Sequence, residues 1–313
     1  MPVLNDAAET AIKEALKTAI LEKTTKLSND GVNKGVAYLT DKGVVYIKQN
    51  ITPQAREIFD CEYESLEAIA ATNIIYVPKP LAIVDNPLGG ALFVSEYIDM
   101  KTLNQFSQEL GQQLARLHLH NAVLGKQKLK GFVGKEENVQ FVKEFGFHVK
   151  TRFGNTLLEN EWCSDWPTFF VRHRLSYQFR LLEENYADAE ARELWSQLLR
   201  KLPQFFEGAD IKPSLLHGNL QRDNIAETNT HPVTFHPASF FGHQDFDLVT
   251  SQMYGGLGQA FYNAYYDIIP RAPGSRKRNQ IYKLFHLLNK WNQSGEEHKK
   301  KAISLMKFLL KGP

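Results

Sequence analysis

The hydrophobic periodicity of this chain changes near residue 100, and that change limits the folds open to it. Before it, apolar runs at residues 36–39 and 44–48 flank a turn that ends at Gly43, which is typical of a β-hairpin, and another apolar run covers residues 91–98. From about residue 102 the period becomes helical. The pattern predicts an α+β chain, with a small antiparallel sheet followed by a larger, mostly helical part.

Two lobes are expected, residues 1–98 and residues 99–313, because 313 residues exceed the usual size of one domain core. In the first lobe, Thr52-Pro53 is expected to open a helix that runs to about residue 70. The other expected elements are a surface helix at 4–23 with Ala8, Ile12, Ala15, Leu16 and Ile20 on one side, an extended segment at 78–84, helices at 166–184, 187–202, 245–254, 257–268, 275–293 and 297–310, and a short strand at 233–235.

Composition and charge exclude several classes of protein. Hydrophobic residues make up 43% of the chain, which is enough to bury a core. The 37 basic and 35 acidic residues leave a net charge of +2, so no strong field steers the chain to nucleic acid. No run approaches the ~20 apolar residues of a membrane span, and Cys61 and Cys163 have no motif spacing. We expect a cytoplasmic monomer or homodimer that binds neither nucleic acid nor a membrane.

A lysine and a glutamate in the first lobe have the arrangement of a phosphate-binding pair. Lys48 ends a predicted strand, and Glu62 lies in the middle of the predicted helix that follows. Kinases hold the α- and β-phosphates of a nucleotide with a strand lysine whose position is fixed by a helix glutamate. A lysine exposed at the end of a strand has the same sequence pattern, so the pair indicates nucleotide binding only together with other motifs.

Three motifs follow one another in the second lobe. Residues 215–224 read Leu-Leu-His-Gly-Asn-Leu-Gln-Arg-Asp-Asn, residues 235–239 read Phe-His-Pro-Ala-Ser, and residues 241–248 read Phe-Gly-His-Gln-Asp-Phe-Asp-Leu. They resemble the His-Gly-Asp-Leu-Trp-x-x-Asn, Phe-Asp-Pro-Ala and Tyr/Trp-Gly-(His/Asp)-x-Glu-x-Asp-Leu motifs of the fructosamine (ketosamine) kinase family, which lies within the aminoglycoside and choline phosphotransferase group. The resemblance covers nearly the whole chain, because further stretches are similar at 77–80, 110–118, 254–256 and 282–289.

The resemblance implies a two-lobed, protein-kinase-like fold and a defined chemistry. Members of the family phosphorylate the sugar of a glycated amine or a protein-bound ketosamine, with ATP and Mg²⁺ as cofactors. Lys48 and Glu62 would hold the nucleotide phosphates in this chain. The segment 95–100, which includes Glu96 and Ile98, would be the hinge between the lobes and would hydrogen-bond the adenine through its backbone.

The resemblance also assigns roles in the second lobe, and here the chain departs from the family pattern. His217 would shape the catalytic loop and Asn224 would be a Mg²⁺ ligand. The family's catalytic aspartate and its metal-binding aspartate fall on Asn219 and His236. An amide takes up no proton near neutral pH, and Mg²⁺ prefers oxygen to imidazole nitrogen. Asp223 is the candidate for a substitute carboxylate.

Two further departures concern glycine and tryptophan positions. Residues 28–33, where the family has a Gly-rich turn, contain one glycine, and Gln221 replaces the family's tryptophan. One acid of the downstream pair, Asp245 and Asp247, is expected to support the catalytic loop by hydrogen bonding. The histidines of this region match no compact zinc motif, although imidazole suits zinc or copper: His217, His231, His236 and His243.

Three interpretations of the function follow. The chain is a ketosamine 3-kinase with impaired activity, or a pseudokinase with a binding or regulatory role, or a small-molecule kinase of the aminoglycoside or choline type. We interpret Asn219 and His236 as natural divergence rather than engineered changes. The two substitutions favour impaired or absent phosphoryl transfer.

Overall fold

The computed structural model describes residues 4–24, 36–129 and 141–312 and has the two-lobed α+β arrangement that the sequence predicts. The first lobe is built on an antiparallel sheet with the strand order β1-β2-β3-β5-β4. The expected hairpin is confirmed, since β2 and β3 pair from Val36↔Ile47 to Thr40↔Gly43. The strands are β1 (Glu22–Lys23), β2 (Val36–Thr40), β3 (Gly43–Asn50), β4 (Pro80–Asp85) and β5 (Ala91–Glu96).

One helix of the first lobe, α2 (Ala55–Ala70), packs on β4 and β5. It begins three residues later than expected, because residues 52–55 form a turn in which the Ala55 N–H donates to the Thr52 carbonyl. Its buried face includes Cys61, Leu66 and Ile69, whereas Ile58 is only half-buried. This packing places the middle of α2 beside β3.

The N-terminal helix α1 (Asp6–Leu16) is shorter than the sequence predicts. The chain turns at Lys17, whose φ of 51° closes the helix while the next N–H groups return to carbonyls of the last turn. Ala8 and Ile12 are buried against the sheet, but Ala15 is exposed and Ile20 is 41% exposed. The expected helix over residues 17–23 is therefore wrong, and β1 begins there instead.

The second lobe is mostly helical, and its helices agree with the expected positions to within a few residues. Leu110, Leu114 and Leu117 are fully buried on one face of α3, as their spacing predicts. The helices are α3 (Ser107–Leu129), α4 (Trp166–Phe170), α5 (Ser176–Tyr186), α6 (Ala189–Lys201), α7 (Asp245–Met253), α8 (Gly258–Ile268), α9 (Ser275–Ser294) and α10 (Lys299–Leu309). The short strands are β6 (Lys101–Thr102), β7 (Thr151–Phe153), β8 (Thr156–Leu158), β9 (Ser214–Leu215), β10 (Ile225–Glu227), β11 (Pro232–Thr234) and β12 (Phe241–Gly242).

The single helix expected over residues 166–184 is divided by a π-helical turn at Val171–Leu175. The turn directs the fully buried guanidinium of Arg174 between the rings of Phe169 and Phe240, at 4.8 and 4.3 Å from the ring centroids. Burial lowers the pKa of Arg174 to about 9. Phe169, Phe170 and Phe179 are buried in the core, whereas Tyr177 is half-buried.

The connection between the lobes is tied to the second lobe by hydrogen bonds. β6 pairs with β10, and the buried carboxylate of Glu227 accepts from the backbone N–H groups of Asn104, Gln105 and Phe106 at 2.8–3.0 Å. These groups lie immediately before α3, so Glu227 fixes the segment that leads into the helix. Within the described ranges, no helix is long and apolar enough to cross a membrane.

Candidate active site

A cavity of about 440 Å³ lies between the two lobes. The sheet contributes Tyr46, Lys48 and Phe93, and the second lobe contributes the loops that carry Asn224 and His236. Seven of the nine residues that the sequence assigns to the site line this cleft: Lys48, Glu62, Glu96, Ile98, Asp223, Asn224 and His236. The other two, His217 and Asn219, are buried in the loop behind it. The cleft therefore collects the side chains that the sequence motifs single out.

Lys48 and Glu62 form the ion pair that the sequence predicts. The Lys48 Nζ lies 2.5 Å from Glu62 Oε2 and 4.6 Å from the centroid of the Phe93 ring. Burial alone would raise the pKa of Glu62, but the Lys48 ammonium and the His236 imidazole outweigh burial and lower it. The glutamate is thus ionised at neutral pH and holds the ammonium group at the wall of the cleft.

The hinge is shaped by the side chain of Glu96 and by two buried apolar residues. Glu96 accepts a hydrogen bond from the Tyr76 hydroxyl at 2.8 Å and another from the Lys79 N–H at 3.3 Å. Ile98 and Met100 pack with residues of the second lobe and form one wall of the cleft. The Glu96 N–H also donates to the Lys79 carbonyl at 2.8 Å, so the group that Glu96 can still offer to a base is its backbone carbonyl oxygen.

Of the two downstream acids, Asp245 and Asp247, it is Asp247 that supports the catalytic loop. Its carboxylate accepts from the N–H groups of His217 and Gly218 at 2.8 Å each and contacts His118 Nε2 at 3.2 Å. Position 218 requires glycine, because its φ is 76° and a Cβ would lie 1.9 Å from the Ala238 carbonyl oxygen. The hydrogen bonds to Asp247 and the close approach of the Ala238 carbonyl therefore fix the backbone of the loop at positions 217 and 218.

His217 is a structural member of this loop. Its side chain is fully buried, and burial lowers its pKa to about 4, so the imidazole is neutral at physiological pH. The Asn219 N–H lies 3.3 Å from His217 Nδ1. The ring thus helps to set the path of the chain into position 219.

Asn219 is hydrogen-bonded at both ends of its amide. Its Oδ1 accepts from Gln221 Nε2 at 2.6 Å, and its Nδ2 donates to the backbone oxygen of His236 at 3.1 Å. Asn224 Nδ2 donates to the Asn219 backbone oxygen at 2.9 Å. Three positions that depart from the family pattern, 219, 221 and 236, are therefore connected to one another. The Asn219 oxygen that would orient a substrate hydroxyl thus already accepts one hydrogen bond within the loop.

His236 occupies the cleft in a conformation that non-glycine residues seldom adopt. Its φ is 52°, its side chain is 48% exposed, and its Nε2 lies 3.8 Å from Glu62 Oε1. Burial and then the nearby Lys48 ammonium lower the pKa of His236, and the Glu62 carboxylate opposes them.

The side chains of the cleft do not fit a magnesium site of the family type. Mg²⁺ requires near-octahedral coordination by oxygen at about 2.1 Å. Asn224 can offer its amide oxygen, but position 236 supplies an imidazole in place of a carboxylate, and Asp223, the other acid on this side of the cleft, is exposed. In the part of the chain that the structure describes, no group of three or more His, Cys, Asp and Glu side chains is arranged to hold a metal ion.

The four histidines considered as a transition-metal site have separate environments. His231 packs edge-on against the Tyr76 ring, and His243 contacts the Tyr282 hydroxyl at 2.6 Å. His217 belongs to the catalytic loop and His236 to the cleft.

Three residues of the site were missed by the sequence motifs. Arg222 lines the cleft beside Asp223, and Glu227 fixes the connection between the lobes. His118 bridges Asp247 to the hydroxyl of Tyr265, which lies 2.8 Å from its Nδ1. The only signal for His118 is its place at the end of the stretch 110–118 that resembles the family. Residues 28–33, where the phosphate loop was predicted, lie outside the described residues.

Comparisons with known proteins agree with this geometry. The fructosamine kinase family model matches residues 4–312. A ketosamine-3-kinase of Mus musculus is 41% identical over 308 residues, which are 97% of this chain and 100% of that protein.

Two solved structures share the fold. A candidate fructosamine-3-kinase from Haemophilus somnus has a TM-score of 0.75 at 22% identity and covers 96% of this chain and 97% of its own. An aminoglycoside 2'-phosphotransferase-IIIa in complex with GDP has a TM-score of 0.52 at 13% identity and covers 97% and 96% of the two chains. The fold is therefore that of the kinase-like phosphotransferases, and the chain belongs to the fructosamine kinase family.

Proposed function

We propose that this protein binds ATP and a glycated amine as a fructosamine kinase does, but transfers the phosphate slowly or not at all. The observation that carries the proposal is the side chain of Asn219. Its amide oxygen accepts from Gln221 and its amide nitrogen donates to the backbone of His236, and an amide takes up no proton near neutral pH, so Asn219 cannot serve as the general base for a substrate hydroxyl. A pseudokinase with a binding or regulatory role is the functional class that follows.

The size of the defect can be estimated from the chemistry that is lost. A positioned general base contributes roughly 10²–10⁴ in rate, and an amide supplies none of it near neutral pH. The second substitution, at His236, removes a carboxylate from the position that would join a metal to the phosphates. The two losses are expected to add incompletely, because groups that act as one unit are strongly non-additive.

Binding of ATP is supported by the groups that remain. The Lys48–Glu62 pair presents an ammonium to the cleft, and the hinge forms the opposite wall. The acceptor is inferred from a relative, the ketosamine-3-kinase of Mus musculus, which matches this chain over its full length. Ketosamines, including fructosamine and ribulosamine adducts of amines, are therefore the substrate class that we propose. A cytoplasmic location, the division at residues 98/99 and the choice between monomer and homodimer remain predictions.

The test is transfer of the γ-phosphate from ATP to fructosamine and ribulosamine substrates, with Mg²⁺ and with Mn²⁺. The unmodified protein is compared with Asn219→Asp/His236→Asp, which restores the two acids of the family pattern. We expect the unmodified protein to turn over at least 100-fold more slowly than the restored variant. Robust turnover by the unmodified protein, abolished by Lys48→Ala, would contradict the proposal.

A second candidate function, a working kinase with Asp223 as the proton acceptor, has one observation in its favour. Asp223 is exposed, lines the cleft and lies on the same loop as Asn219. If this interpretation holds, Asp223→Asn abolishes the turnover of the unmodified protein and Asp210→Asn, on an exposed loop outside the cleft, does not. Protection of growing cells against aminoglycosides would instead favour the small-molecule kinase interpretation.

A further inference from the structure

Two of the carboxylates that line the cleft are already matched with donors or basic groups. The oxygens of Glu62 lie 2.5 Å from Lys48 Nζ and 3.8 Å from His236 Nε2. The carboxylate of Glu96 accepts from the Tyr76 hydroxyl at 2.8 Å. Neither group can turn toward a cation in the middle of the cleft without breaking these contacts.

The remaining carboxylate of the cleft, among the described lining residues, is Asp223. It is exposed, and Arg222, which also lines the cleft, is its neighbour on the same loop. Apart from Asp223, the described lining of the cleft thus offers no uncommitted carboxylate to a Mg²⁺ ion.

The position that should hold the metal instead presents a hydrogen-bond donor. The backbone of His236 is anchored by Asn219 Nδ2, and its imidazole is half exposed toward the cleft that Lys48 also lines. An imidazole carries at least one N–H whatever its charge, whereas a carboxylate at the same place only accepts. A carboxylate there repels phosphate oxygens unless a cation lies between them, and the imidazole can bind them directly.

We propose that this cleft binds a nucleoside triphosphate as the free anion, without magnesium, with Lys48 and His236 as the phosphate ligands. The inference rests on the proposed function, because it concerns the same cleft and presumes that the hinge receives the base. To the proposed function it adds the form in which the nucleotide binds, as the free anion rather than as the magnesium complex. Position 236 is the residue that determines this form.

The test measures ATP binding by calorimetry, once in EDTA and once in excess Mg²⁺. The variants are His236→Asp, which restores the family's carboxylate, and His148→Asp, which makes the same change at an exposed histidine outside the cleft. For the unmodified protein and for His148→Asp, we expect dissociation constants in EDTA within threefold of those in Mg²⁺. For His236→Asp, we expect affinity in EDTA to fall at least tenfold and to return on addition of Mg²⁺. Thermal unfolding of each variant checks that it is folded.

The outcomes separate this inference from the proposed function. Binding of ATP by the unmodified protein only when Mg²⁺ is present overturns the inference but leaves slow transfer standing. Equal affinity of His236→Asp in EDTA and in Mg²⁺ also overturns it, because position 236 would then not determine the form of the ligand. A folded protein that binds no ATP under either condition overturns both. Rapid phosphoryl transfer with metal-independent binding overturns only the proposed function.

Discussion

The carboxylate of Asp247 is the group on which the catalytic loop depends, and replacing it by an amide is a sharp test of that role. The side chain is fully buried and accepts from two backbone N–H groups of the loop, those of His217 and Gly218, and from His118 Nε2. Asp247→Asn keeps the shape but turns one acceptor into a donor. At least one of the three N–H groups then faces an NH₂ group.

The magnitude follows from the bonds involved. A hydrogen bond to a charged group contributes about 1.5–3 kcal/mol, and a buried donor left unsatisfied costs a similar amount. We therefore expect Asp247→Asn to lower the free energy of unfolding by about 2–3 kcal/mol, which for a chain of this size lowers Tm by about 5 °C. The measurement is thermal unfolding followed by circular dichroism at neutral pH.

A matched control lies on the same helix. Asp245 and Asp247 both lie in the first turn of α7, so each loses the same favourable interaction with the helix dipole on conversion to asparagine. Asp245 is 13% exposed and its carboxylate is 3.9 Å from His243 Nε2. Asp245→Asn should therefore lower Tm by less than half as much. Equal losses for the two variants, or no loss for Asp247→Asn, would refute the role assigned to Asp247.

Three other outcomes are expected. Asn219→Asp alone should restore no turnover, because position 236 still lacks the carboxylate that would join a metal to the phosphates; adding His236→Asp should restore it, as measured by phosphoryl transfer. Glu227→Gln should lower the free energy of unfolding by about 1–3 kcal/mol, read from Tm, because an oxygen that accepts from three N–H groups loses its charge. Burial lowers the folded-state pKa of His286 to about 3, below its unfolded value of about 6.5, so its stabilising contribution is present above pH 6.5 and is lost as the pH falls. At pH 5 this loss is about 2 kcal/mol. In urea titrations, the free energy of unfolding of His286→Leu should therefore fall about 2 kcal/mol less between pH 7.5 and pH 5 than that of the unmodified protein. An equal fall for the two proteins would show that the ring titrates normally.

The sequence predicts the fold well because local patterns and global packing agree in most of the chain. The hairpin at β2 and β3 and the buried leucines of α3 follow from period and turn chemistry alone. The errors lie at element ends. Lys17 ends α1 in a left-handed conformation without a glycine to signal it, and the turn at Thr52 moves the start of α2 to Ala55.

In the candidate site, too, some contacts follow from local sequence patterns and others do not. The pairing of Lys48 with Glu62 is predicted from a lysine that ends a strand and a glutamate in the helix that follows, and the structure places the two groups 2.5 Å apart. The hydrogen bonds of Asn219 are different, because they join residues 219, 221 and 236 through loops that have no period. Glu227 has no motif at all, since its partners at residues 104–106 lie more than a hundred positions earlier in the chain.

The anchoring of the interlobe segment has a consequence for motion. Pairing of β6 with β10 and the contacts of Glu227 make residues 101–106 part of the second lobe. A second crossing lies nearby, where the Thr234 N–H donates to the Tyr76 carbonyl at 3.1 Å. The two lobes are thus joined by the chain at residues 96–100 and by this hydrogen bond. We expect any rotation of one lobe relative to the other to be absorbed by the few peptide units between Glu96 and Met100. If the cleft binds a nucleotide as we propose, with its base at the hinge, we expect such a rotation to move its phosphate-binding groups more than the groups that contact the base.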